Sequence, residues 1–145
     1  MSHQEDNVRS VIKQWIDSIA RRDWAALSSL ATPDAMYWIA GLKSKIPYAG
    51  TELYSERVKL IRSIFGPMSF WHPEIVDITV EGDTGVLETK ANGEGPKEGQ
   101  IYSNAGIFKF VVRDGKIIEV KEFLDFFAVY AYMGIEVDVK WPSEG

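Results

Sequence analysis

Two runs rich in β-branched and aromatic residues, IYSNAGIFKFVV and IIEVKEFLDFF, flank the tetrad Arg113-Asp114-Gly115-Lys116 late in the chain. Asp-Gly between such runs is the strongest short-range hairpin signal, and the pattern predicts a long hairpin over residues 101–127. Two strands cannot keep one apolar face in water unaided, so the remaining segments must supply the strands and helices that cover it. A functional site belongs where that cover leaves a gap.

Residues 7–21 place Val8, Val11, Ile12, Trp15, Ile16 and Ile19 on one helical stripe, with Arg9, Lys13, Gln14 and Asp17 opposite. Asp23 is an N-cap for a short second helix from Trp24 to about Leu30, and Thr32-Pro33-Asp34 stops it. A short strand follows from Met36 to Ala40, then a loop that holds Tyr48. A third helix, opening at Thr51 or Ser55, carries Tyr54, Val58, Ile61 and Phe65 inward and Arg57, Lys59 and Arg62 outward, and Gly66-Pro67 ends it. From Met68 the period becomes two, giving one strand through Val80, a turn at Gly82-Asp83 and a second strand from Thr84 to about Ala91. NGEGPKEGQ (92–100) reads as a rim loop, FFAVYAYMG as a short helix ended by Gly134, and IEVDVKW as a tail that could pair with a sheet edge or a second subunit. The order, helices early and strands late, predicts an α+β fold: three N-terminal helices packed on a curved antiparallel sheet, as a single domain over 1–145 with 135–145 its tail.

Composition narrows the function classes. There is no cysteine, which excludes disulfides, thiolate nucleophiles and Cys-based metal sites, and two histidines leave little for a metal centre. The net charge of -5 with no basic stripe argues against nucleic acid. No apolar run is long enough for a membrane span, and the polar, acidic start is unlike a signal peptide, so the cytoplasm is expected. Five Trp, six Tyr and seven Phe exceed the needs of a small core and suit a lined cavity or a subunit interface.

In its order of elements the chain resembles the NTF2-like superfamily, in particular its SnoaL-like and limonene-epoxide-hydrolase-like branches. The segments that carry the resemblance are DWAALSSLATPDAMYW, the PYAG before the third helix, and YSNAGIFKFVVRDGKIIEVKEFLD. It implies a cone-shaped cavity that holds a small hydrophobic molecule, a homodimer, and no cofactor. It also implies that an acid at the end of the last long strand, here Asp125, acts as general acid or base. The Arg-x-Asp expected of an epoxide hydrolase is replaced by Glu88-Thr89-Lys90-Ala91, and Trp15 stands where a steroid isomerase has a helix-one Tyr, so the resemblance favours neither reaction. An isomerase, cyclase, dehydratase or hydrolase working by proton transfer is expected; the alternatives are a non-catalytic carrier and a protein-interaction module.

The hairpin register decides which side chains meet. A two-residue turn puts Arg113 opposite Lys116 but sets Glu119 and Lys121 against Phe110 and Phe108. A three-residue loop with Gly115 in a G1 bulge pairs Phe110 with Ile118 and is preferred, with a further bulge between Glu119 and Asp125 to turn Asp125 inward. Asp125 has two readings, a pocket acid with a raised pKa or the N-cap of the following helix. Asn104 and His72 are the other candidate catalytic groups. Tyr102, Trp38, Tyr37, Tyr48, Tyr54, Trp15 and Phe123 are candidate substrate contacts, and Glu122 is expected to be exposed or at an interface.

Overall fold

The computed structural model describes residues 2–143. Helix α1 spans His3–Ala20, four residues earlier than its apolar stripe requires, because Ser2 and Glu5 form a reciprocal capping box. Helix α2 (Trp24–Ser29) starts from Asp23, whose carboxylate accepts from the Ala26 N–H at 3.0 Å. Then follow β1 (Ala31–Ile39), β2 (Gly50–Leu53), α3 (Tyr54–Phe65), β3 (Phe70–Glu81), β4 (Thr84–Glu94), β5 (Ile101–Arg113), β6 (Lys116–Leu124) and α4 (Phe126–Met133).

The six strands form one sheet in the order β2-β1-β6-β5-β4-β3. Helix α1 lies over β3, β4 and β5, and α3 over β1 and β2, so both cover the same face from opposite ends. The α+β architecture expected from the sequence is present, with one change: β1 runs parallel to β6, making the sheet mixed. The two strands meet only after the chain has crossed through α3 and β3–β5, a long-range pairing that no local pattern encodes. Strand β2, expected as loop, pairs with β1 from Met36↔Leu53 to Ile39↔Gly50. Strand β4 runs on through Asn92-Gly93-Glu94 because these residues pair on both sides, with His72-Trp71-Phe70 and with Ser103-Tyr102-Ile101. Gly93 is required there, since a Cβ would come within 2.8 Å of the Phe70 carbonyl oxygen.

The hairpin combines features of both expected registers. Asp114 (φ 51) and Gly115 (φ 75) make a two-residue turn with Arg113 opposite Lys116. Ile118 is then extra, so Val112 pairs with Ile117 but Val111 with Glu119. The bulge lies nearer the turn than the expected one, and from there Phe110 meets Val120 and Phe108 meets Glu122. It therefore turns Val120, Glu122 and Leu124 toward the helices and leaves Glu119, Lys121 and Phe123 on the outer face. A three-residue loop would have set Lys109 opposite Glu119; Lys109 instead faces Lys121. After Gly134, whose left-handed φ of 75 ends α4, residues 135–143 are exposed and join no strand.

Candidate active site around Glu122

Between α1, α3 and the inner sheet face lies a narrow cavity of ≈ 30 Å³, room for one or two waters. Its apolar wall includes Trp15, Phe65, Trp71 and Phe108, and its polar groups are Tyr37, Thr89, Tyr102, Asn104 and Glu122. A second void of ≈ 30 Å³ lies on the other side of Glu122, lined by Arg57, Leu60, Ile64, Phe126 and Val129 among others. Tyr37, Ile61, Phe65, Glu122 and Leu124 border both voids.

Glu122 is only 6 % exposed. The Tyr37 hydroxyl donates to its Oε1 at 2.5 Å, while Oε2 has no hydrogen-bond partner among the described residues. Loss of water pushes the Glu122 carboxyl up to about 7, and the Tyr37 hydrogen bond and the nearby Arg57 charge only partly oppose this. The proton of the neutral acid therefore belongs on Oε2, the oxygen that Tyr37 leaves free. Burial, with the Glu122 charge adding to it, drives Tyr37 far above the ordinary tyrosine value, so it stays a donor.

Arg57 is equally buried at 6 %. Its Nη2 donates to the Gly50 carbonyl at 2.7 Å and its Nε to the Tyr37 carbonyl at 3.4 Å, which ties α3 to β1 and β2. It makes no ion pair among the described residues.

At the other end of the first cavity, Asn104 fixes a forced donor. Its Oδ1 accepts from the Ala105 N–H, and its Nδ2 donates to the Asp125 carbonyl and to the Tyr102 hydroxyl oxygen, each at 3.0 Å. With that oxygen serving as acceptor, the Tyr102 O–H proton is left to point away from Asn104. Tyr102 is 2 % exposed, and desolvation raises its pKa, so it stays protonated.

The structure thus brings Trp15, Tyr37, Tyr102 and Asn104 together around one space. Other expected site residues lie elsewhere. Asp125 does not project into the cavity: it is exposed and caps α4, its Oδ1 accepting from Phe127 N–H at 2.9 Å and Ala128 N–H at 3.4 Å. Capping satisfies helix donors that would otherwise be orphaned, and it fixes the carboxylate outside. His72 is exposed beside Phe70. Trp38 and Phe123 pack edge-to-face at 5.4 Å on the outer sheet face. Tyr48 stacks on Phe126 at the rim, and Tyr54 sits behind Tyr37, its hydroxyl donating to the Leu27 carbonyl at 2.7 Å.

Glu122 and Arg57 were expected to face outward. Their signals were present: Glu122 follows Val120 by one strand period, and Arg57 completes the i, i+3, i+4, i+7 set Tyr54, Arg57, Val58, Ile61. Their charge masked the geometry. Among the described residues no cluster of His, Asp and Glu could hold a metal ion, and no helix is long and apolar enough to cross a membrane.

A family model described as SnoaL-like domain matches residues 12–120. No curated protein matches the chain. Among solved structures, a protein described as a SnoaL-like polyketide cyclase from Jannaschia sp. CCS1 is similar with a TM-score of 0.73 at 18 % identity, over 94 % of this chain and 98 % of that one. IdmH of Streptomyces antibioticus, described as a polyketide cyclase, gives 0.73 at 19 % identity over 88 % and 99 %. An LEH-like epoxide hydrolase of M. tuberculosis gives 0.69 at 13 % identity over 90 % and 92 %. At these identities the likeness is one of fold.

Proposed function

We propose that this chain, which belongs to the SnoaL-like domain family, is a cofactor-free enzyme that moves a proton on a small apolar molecule, with Glu122 as its general acid or base. The observation that carries this reading is a buried carboxyl, pushed up to about 7, with one oxygen unengaged between two voids. An acid of that strength exchanges protons near neutral pH, and a positioned one contributes roughly 100- to 10,000-fold to rate. A plain core would fill this position with an apolar side chain, since a buried carboxyl costs stability that only function or pairing offsets.

The bound molecule lies against Trp15, Phe65, Trp71 and Phe108, and an oxygen of it accepts from the Tyr102 hydroxyl that Asn104 orients. Entry requires the walls to move. Phe65, half-buried at the last turn of α3, borders both voids, and its rotation joins them into one chamber.

Deuterium uptake by the activated C–H positions of 2-cyclohexenone in D₂O, followed by proton NMR, tests the assignment. Wild-type protein is expected to accelerate uptake over buffer, and Glu122→Gln to lose that acceleration by about 100-fold or more. Equal rates in wild type and a folded Glu122→Gln variant would remove Glu122 from the chemistry.

The small cavity favours a second reading, a protein-interaction module that works through the outer sheet face, where Met36, Ile107 and Phe123 are exposed beside the half-buried Trp38. It expects no turnover and no change in partner binding when Glu122 is replaced.

A further inference from the structure

The void beside Arg57 supplies no polar contact of its own to the proton transfer described above, yet it holds a second buried charged group. A guanidinium taken out of water without a carboxylate partner is expensive, and meeting two backbone carbonyls does not need a full positive charge. Arg57 spends Nε and Nη2 on the Tyr37 and Gly50 carbonyls, while Nη1 has no partner among the described residues. Glu122, the acid whose charge it feels, borders the same void with its Oε2 also unengaged. When Glu122 is neutral, it and Arg57 each bring an uncommitted donor, Oε2–H and Nη1–H, to the lining of one small space whose other polar group, the Tyr37 hydroxyl, already donates to Oε1 and whose remaining wall is apolar, Leu60, Ile64, Phe126 and Val129 among it.

We propose that this void is an anion subsite, which takes the carboxylate or enolate oxygen of an apolar ligand onto Arg57 Nη1 beside Glu122. The ligand class is then an apolar monoanion, or a carbonyl compound that becomes one when its C–H proton leaves. This rests on the reading of the Glu122 cavity as a ligand site. It adds the charge of what binds there. In the enolate case, where the reacting oxygen sits at Arg57 in place of the Tyr102 contact, the C–H electron pair becomes the new C=C bond, the proton passes to the carboxylate form of Glu122, and the oxygen takes the negative charge that Arg57 meets. Returning the proton to carbon reverses each change, so no oxidant or further reactant is needed.

Benzoate and benzamide share shape and differ in charge, and their affinities for the full chain, measured by calorimetry with the Arg57 guanidinium followed by ¹⁵N NMR, decide the matter. Benzoate is expected to bind roughly 10- to 100-fold more tightly than benzamide and to shift the Arg57 signals, in line with a charge-assisted hydrogen bond. Arg57→Met is expected to erase the preference. Because that variant also loses the ties to β1 and β2, Leu60→Trp serves as a second one: it fills the void, leaves Arg57 in place, and is expected to abolish benzoate binding. Equal affinity of the two probes, a preference that survives Arg57→Met, undiminished benzoate binding by Leu60→Trp, or no benzoate binding at millimolar concentration would each overturn the subsite. Proton exchange on 2-cyclohexenone that still depends on Glu122 would then show that the catalytic reading survives without it.

Discussion

Burial fixes the sign of the pH response at Glu122. In the unfolded chain its carboxyl titrates near the ordinary value of 4.5; in the folded protein it is held up to about 7. Between those values the folded state binds the extra proton, so stability falls as pH rises. The penalty is absent below the unfolded value and fully present above the folded one. At about 1.4 kcal/mol per pH unit it amounts to roughly 3 kcal/mol. Urea unfolding at pH 5 and pH 8 is expected to show that loss in wild type and to show it flattened in Glu122→Gln, which keeps the Tyr37 hydrogen bond without the titration. A wild-type profile with no such loss would mean that water reaches the carboxyl. Asp125 offers the contrast within the same four residues: exposed and engaged by two N–H groups, it serves the helix end.

At the scale of elements, a single added residue determines which acid faces inward. Hydrophobic periodicity located α1, α2, α3, α4 and every strand but the four-residue β2, because each buries one face of a regular repeat. It did not locate the bulge at Ile118, which no residue type marks, and without it the parity of β6 is reversed. The same limit hid the parallel β1–β6 pair, a contact between segments some eighty residues apart. Close approach of helix to sheet, by contrast, leaves a residue signature. Gly85 on β4 sits under α1, where a Cβ would come 2.4 Å from Ile12 Cδ1 and 3.0 Å from Val8 Cγ1. Both side chains are essentially without exposure, so they have little room to yield. Gly85→Ala is expected to cost about 1–3 kcal/mol in urea unfolding. It should also lift α1, and with it Trp15, whose ring meets Phe108 at 5.0 Å in the cavity wall. A variant as stable as wild type would show that α1 can shift freely on the sheet.

At the scale of the whole molecule, the sheet has a helix-covered face and a bare one. The bare face carries Met36 and Trp38 from β1, Phe123 from β6 and Ile107 from β5, all partly exposed, and Phe123 pairs directly with Ile107 across the two central strands. Lys109 and Lys121 lie opposite one another on the same face, like charges that repel unless an acid is brought between them. Glu119, 3.6 Å from Lys121, meets one of them within the chain, and Glu88 pairs with Ile107 one row along. A second copy turned about a two-fold axis would cover the aromatic pair with the same apolar surface, since an isologous contact sets a patch against its own copy. The chain is therefore expected to sediment as a dimer. Phe123→Asp, which adds a charge at the centre of that face and lies outside the cavity wall, is expected to sediment as a monomer while keeping the raised titration of Glu122. A wild-type chain that sediments as a monomer at micromolar concentration would leave the bare face to a different partner, and a Phe123→Asp dimer would move the contact elsewhere, to the open β3 edge or the exposed residues 135–143.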